Sequence, residues 1–205
     1  MKKRIFILCI AVLLLVSLPV FAMQDTYTVK SGDSMWKIAV RYRIGLSEII
    51  NANTQIKNPS LIYPGQKLTI PNIDDVKSIE DKVIKLVNVE RSKNGLSPLT
   101  KNWQLSRVAR YKSVDMRDKN YFSHTSPTYG SPFRMMEDFG INYTAAGENI
   151  AYGQRTAEEV MNSWMNSPGH RSNILGGSFD QIGVGVAKAK NGTYYWTQMF
   201  IRAGK

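Results

Sequence analysis

The pattern of this chain changes at Pro71-Asn72-Ile73-Asp74-Asp75, and that change limits what it can fold into. Before it, residues 23–71 carry short alternating runs separated by closely spaced turn signals. After it, the spacing becomes helical. A segment as short as 23–71 can bury only a small core, and it has no cysteine to staple it. It must therefore be a compact module of few short elements. No internal repeat or low-complexity tract appears, so the two parts are different domains, joined over residues 72–79 by a linker that restricts their separation.

Within the first part, Thr26-Tyr27-Thr28-Val29 alternates as a strand does, and Ser31-Gly32-Asp33-Ser34 is a turn ending in a helix N-cap. Residues 35–42 have helical spacing, with Trp36, Ala39 and Tyr42 near one face. Residues 46–52 form a second short helix. Asn58-Pro59 and Tyr63-Pro64-Gly65 are turns, and Lys67-Leu68-Thr69-Ile70 returns as a strand. The segments Tyr27-Thr28-Val29, Gly32-Asp33-Ser34, Asn51-Ala52-Asn53 and Ile62-Tyr63-Pro64-Gly65-Gln66-Lys67-Leu68, in that order, resemble the LysM family across 26–71. The resemblance implies a βααβ module that binds N-acetylglucosamine-containing glycans, here peptidoglycan. It also implies a groove between two loops: Gly32, Asp33, Ser34 and Met35 on one side, Asn58, Pro59, Leu61 and Ile62 on the other. Read as residues alone, Asp33 and Ser34 also suit a helix cap, and Ile62 suits a core.

The first residues read as an export signal. Met1-Lys2-Lys3-Arg4 is positive, residues 5–16 are an unbroken apolar run, and Pro19-Val20-Phe21-Ala22 ends in a small residue. The run is short for a membrane span of ~20 residues. Cleavage after Ala22 removes the single cysteine, Cys9, and leaves no disulfide, thiolate nucleophile or cysteine metal site. The lost segment carries three cations and no acid, so the net charge falls from +11 to +8. Outside the membrane, the anionic partner expected for such a chain is a wall polymer rather than nucleic acid. No permanent membrane span is expected after cleavage, and the protein is expected to be secreted or held at the wall.

Residues 80–205 read as helices followed by a hairpin. Ile79, Val83, Leu86 and Val87 mark one helix, stopping at Asn94-Gly95, and Leu105, Val108, Ala109 and Met116 mark another. Ser131-Pro132 opens a third, and Thr156 with Glu159 forms a capping box for a fourth. Residues 182–186 and 193–201 are strands joined at Asn191-Gly192. The expected class is α+β.

The two histidines of the chain, His124 and His170, sit in loop-like settings, with Gly147-Glu148-Asn149-Ile150 between them in sequence. Together with Asn88-Val89-Glu90-Arg91, Phe122-Ser123-His124, Ser167-Pro168-Gly169-His170-Arg171 and Ile182-Gly183-Val184-Gly185, these segments resemble the cysteine-free bacterial branch of the CAP (SCP-like) superfamily. The resemblance implies an α–β–α sandwich with His124, Glu148 and His170 projecting into a cleft. One departure is plain: the second cleft glutamate of many relatives falls at about Ser167 here.

Three roles are open to this trio. It could bind a ligand or a divalent cation such as Zn²⁺ through His124 and His170. It could work as a general acid–base set in a wall hydrolase or protease, although no activated nucleophile is evident. It could simply tie loops together. The function expected is a wall-associated protein anchored by its first domain, with the second binding a ligand or partner. A hydrolase and an envelope or spore-layer assembly protein are the alternatives.

Overall fold

The computed structural model describes residues 25–204. The expected signal segment, 1–22, lies outside the described residues. Two hydrophobic interiors are present, one built by residues 27–73 and the other by residues 76–201.

The first core is a βααβ unit. Strands β1 (Asp25–Thr28) and β2 (Lys67–Ile70) pair antiparallel, with Tyr27 opposite Leu68. Between them run helices α1 (Met35–Tyr42) and α2 (Leu46–Asn51). Tyr27, Val29, Ile38, Ile44, Ile49 and Leu68 fill the interior. Buried Asn53 locks the end of α2 to β2: its Nδ2 donates to the carbonyls of Ile49 (2.7 Å) and Thr69 (2.8 Å), while its Oδ1 accepts from Thr69 N. The face expected on α1 is corrected at one position. Met35, Ile38 and Ala39 form the buried stripe with Tyr42 packed beside it, and Trp36 points away from this core.

Residues 74–79, expected within a linker, are the first turns of helix α3 (Asp74–Lys93). Asp74 and Asp75 favour the positive helix start, and Asn72 Oδ1 accepts from Asp74 N at 2.8 Å. Only Pro71, Asn72 and Ile73 separate β2 from α3.

The second core is a three-layer α–β–α sandwich. Strands β3 (Thr100–Lys101), β4 (Tyr143–Tyr152), β5 (Gln181–Lys188) and β6 (Tyr194–Ala203) form one sheet in the order β3-β5-β6-β4. On one face lie α3, α6 (Ala157–Met165) and α7 (Pro168–Ile174), burying Val83, Val87, Val160 and Trp164 against Ile182, Val184, Trp196 and Phe200. The other face carries α4 (Trp103–Asp118) and α5 (Pro132–Asp138), with Leu105, Val108 and Met135 near Met199 and Ile201. The alternation in Ile182-Gly183-Val184-Gly185 now has a reason. A Cβ on Gly185 would lie 2.0 Å from Arg110 N, and one on Gly183 would lie 2.4 Å from the backbone of Leu105. Helix α4 therefore lies directly on the sheet backbone, which only glycine permits.

The Asn88–Arg91 motif is architectural. Asn88 exchanges two hydrogen bonds with the backbone of Leu99, and Arg91 Nη1 donates to the carbonyls of Ile174 and Gly176, each at 2.8 Å. Arg91 thereby fixes the end of α7, the helix that carries His170.

Candidate functional site

Glu148 lies on β4, deep in the second domain. Its side chain is 1% exposed, and its Oε1 meets His124 Nδ1 at 2.7 Å. The other oxygen, Oε2, is buried with no hydrogen-bond partner. Burial pushes the Glu148 carboxyl above its ordinary value, and the bond to His124 and the nearby charge of Lys112 pull it back only in part. His124 is half exposed, so the pair runs from solvent to interior.

The loop holding His124 is fastened from beneath by α4. Asp115 accepts hydrogen bonds from Tyr121 (2.7 Å), Ser126 (2.7 Å) and Thr128. Burial works to raise its pKa, but those three hydroxyls outweigh it and hold the carboxyl low. Lys112 Nζ donates to the His124 carbonyl at 2.5 Å and is itself fully buried. Lys112 was not singled out from sequence, yet the signal was there. Leu105, Val108, Ala109 and Met116 define a core-facing stripe on α4, and position 112 falls on that stripe.

His170 belongs to the first turn of α7, not to a loop. Its carbonyl accepts from Asn149 Nδ2 at 3.1 Å, and Asn173 Nδ2 donates to the carbonyl of Glu148 and to Asn149 Oδ1. The Gly147-Glu148-Asn149-Ile150 motif thus divides its labour. Gly147 leaves room for Phe179 and Asn173, Glu148 enters the cleft, and Asn149 positions the α7 turn. Burial, together with the neighbouring His124, lowers the pKa of the His170 ring and favours the neutral imidazole. The structure therefore joins His124 directly to Glu148, and places the His170 backbone on Asn149 with its ring near His124. Arg171, which follows His170, is exposed and does not pair with Glu148.

Among the described residues, no group of three His, Cys, Asp or Glu side chains is placed to hold a metal ion. The chemistry of the surroundings agrees with that geometry. A buried lysine ammonium stands near Glu148, where its charge would oppose a divalent cation. The residues present do not fit Zn²⁺. Exposed Phe122, two residues before His124, and exposed Tyr152 place their ring centres 6.0 Å apart.

The loops of the first domain are different. Asp33 Oδ2 accepts from Tyr27 OH (2.6 Å) and Lys30 N (2.9 Å), and its Oδ1 lies 3.5 Å from Arg41 Nη2. Those hydrogen bonds hold its carboxyl below the usual range. Ser34 Oγ accepts from Lys37 N and caps α1. Met35 is 2% exposed, so its side chain belongs to the core and not to a groove surface, and Ile62 packs on the same core. Gly32, Asn58 and Leu61 are exposed, and Pro59 is half-buried. A cavity of about 360 Å³ lies on the second loop, lined by Lys57, Asn58, Leu61 and Tyr63. Of the eight residues expected in the groove, it includes Asn58 and Leu61. Tyr63, 55% exposed beside Leu61 at 51%, was read from sequence as part of a turn and of the LysM motif but not as a groove residue.

A three-layer sandwich in which a buried glutamate meets one histidine, with a second histidine on a neighbouring helix, is the arrangement expected of a CAP domain. The cysteine-rich secretory protein (CAP) family model matches residues 84–200, and the chain belongs to that family. The LysM domain model matches residues 27–71. The uncharacterized protein YkwD of Bacillus subtilis (strain 168) is 58% identical over 126 residues, covering 62% of this chain and 48% of that protein. The uncharacterized membrane protein YlbC of the same organism is 34% identical over 148 residues, covering 69% and 41%. The chain thus spans less than half the length of either relative. A crystal structure of an extracellular protein containing a SCP domain from Bacillus anthracis str. Ames aligns with a TM-score of 0.57 at 36% identity, over 68% of this chain and 47% of that one. Among the described residues, no helix is long and apolar enough to cross a membrane.

Proposed function

We propose that this is an exported, wall-associated protein that holds peptidoglycan through its LysM domain and presents the CAP cleft to a ligand at the envelope. The observation that supports it most is that the LysM segment closes a core of its own while leaving Leu61 and Tyr63 exposed on one loop. A large apolar surface beside backbone donors and acceptors suits an acetamido sugar. The small module gives one modest contact area, so retention on a polymer gains from many copies along the strand. The positive excess adds attraction to anionic wall polymers.

The test is co-sedimentation with purified sacculi. The chain from residue 23 onward is expected to pellet, and a Leu61→Ala/Tyr63→Ala double variant is expected to stay largely in the supernatant. Equal pelleting by a chain lacking 23–71 would overturn the anchoring role.

One feature favours hydrolysis as a second reading. Glu148 keeps an unpartnered buried oxygen and a raised pKa beside His170, whose pKa is lowered. That pairing is suited to proton transfer. Release of soluble fragments from sacculi or casein that disappears in His124→Ala supports this reading. No release by the intact protein removes it.

A further inference from the structure

The two domains meet along α4, and the contact contains a buried cation with no direct ion pair, Glu48 acting on it only from a distance. Arg110, on one side, is fully engaged: it grips Glu80 with Nε (2.8 Å) and Nη2 (2.7 Å), and its Nη1 reaches Glu48 of α2 at 2.9 Å. Next to it, Tyr111 OH accepts from Ser47 N at 3.2 Å. Arg107, one turn earlier, is 3% exposed, and its Nε is buried without a hydrogen-bond partner. No acidic group among the described residues forms an ion pair with it. Aromatic faces surround it instead: its guanidinium carbon is 4.4 Å from the ring centre of Trp36, 5.6 Å from Phe139 and 5.9 Å from Trp103.

Arg107 is among the residues lining an open cavity of about 650 Å³ built by both domains, with Trp36, Leu46 and Ile50 from the first and Tyr111, Tyr129 and Phe139 from the second. The one carboxylate on the lining, Asp138, is engaged by Arg134 at 3.4 Å. A cavity of similar size on the far side of Arg110 differs in this respect. Of its cations, Arg41, Lys77, Lys101 and Arg110 are paired with acids, and Arg43 is exposed to solvent rather than buried among aromatic rings.

A guanidinium offers five donors in a planar fork that matches a carboxylate. Cation–π contact satisfies its charge but none of those donors. The apolar remainder of the cavity suits short aliphatic groups. Trp36 directly follows Met35, so the wall of this cavity starts one residue beyond the first of the two loops assigned to the glycan. We propose that the junction cavity binds the free carboxylate of a short peptide carried on the amino-sugar strand, with Arg107 as its anion partner and Trp36 as a packing face. This rests on the glycan reading above and adds to it a requirement for the peptide.

Binding of the intact chain, from residue 23 onward, is measured to two soluble probes: peptidoglycan fragments with free stem-peptide carboxylates, and the same glycan stripped of its peptides. The peptide-bearing probe is expected to bind roughly tenfold tighter, the scale of one charge-assisted pair. Arg107→Met and Trp36→Ala are expected to bring the two affinities together while leaving the stripped glycan's affinity unchanged. A preference for the peptide-bearing probe that survives in either variant overturns the proposal. Equal binding of both probes by the parent protein overturns it while leaving the glycan reading intact. Failure of the stripped glycan to bind the parent overturns the glycan reading itself.

Discussion

The loops of the LysM domain and the cleft of the CAP domain treat their polar residues in opposite ways. In the first domain, Asp33 and Ser34 have every obvious partner close by in sequence: a tyrosine hydroxyl, two backbone amides and an arginine. In the second, Glu148 is drawn into the interior and then supplied with a partner for one oxygen only. A satisfied polar group explains itself through the fold. A buried group left half satisfied costs stability and so points to a task outside the fold. The contrast argues that the first domain binds through exposed apolar and backbone surface, and the second through directed polar chemistry.

Four experiments break or sharpen that contrast. The largest effect is expected at Gly185→Ala, because a Cβ there collides with the backbone of α4. Stability should fall by about 3 kcal/mol or more, read by denaturant unfolding. A neutral result would mean that the cleft is not rigidly backed by helix and sheet. Asp115→Ala should cost about 2–3 kcal/mol, since three hydroxyls lose a charged acceptor. It should also loosen the His124 loop, seen as faster amide exchange over 121–128. Ser34→Ala should cost only about 1 kcal/mol as a lost N-cap. Any larger loss of sacculus binding in that variant would give Ser34 a direct role in the groove.

The smallest effects concern pH. The native state holds the Glu148 proton more tightly than the unfolded chain does, so this group's contribution to stability is fully present below the ordinary value of 4.5 and is lost as pH rises through the folded value. Glu148→Gln should flatten that slope. His170 has the opposite sign. Its folded pKa is lowered, so its contribution is fully present above 6.5 and is lost as pH falls toward the folded value. His170→Gln should remove that loss. Melting curves between pH 4 and 8 check both.

Much of this molecule was legible in its residues because local rules and tertiary demands agree. The cap at Ser131 and the glycine after α5 each mean the same thing locally and globally. Glu148 was visible because a carboxylate in an apolar strand must have a reason. Other features needed three dimensions. His170 was read as a loop residue because Ser167-Pro168-Gly169 looks like a turn, whereas Pro168 is the first residue of a short helix whose far end Arg91 secures. Met35 lies next to loop residues but faces the core, since burial follows helix phase and not sequence neighbours. Arg107 carries no local signal of its own. Its setting exists only once α1 of one domain has been laid against α4 of the other.

The three residues between β2 and α3 have a final consequence. Fully extended they span ~10 Å, and the Arg110 bridge from Glu48 to Glu80 closes the remaining freedom. A long tether would let the second domain sweep the space around its anchor. This joint instead gives the second domain a bearing: if the first domain settles on a polymer as proposed, the second is aimed in the same direction relative to it. A row of such molecules along one strand would present a row of identically oriented clefts, and cutting the bridge would turn that ordered array into a scatter.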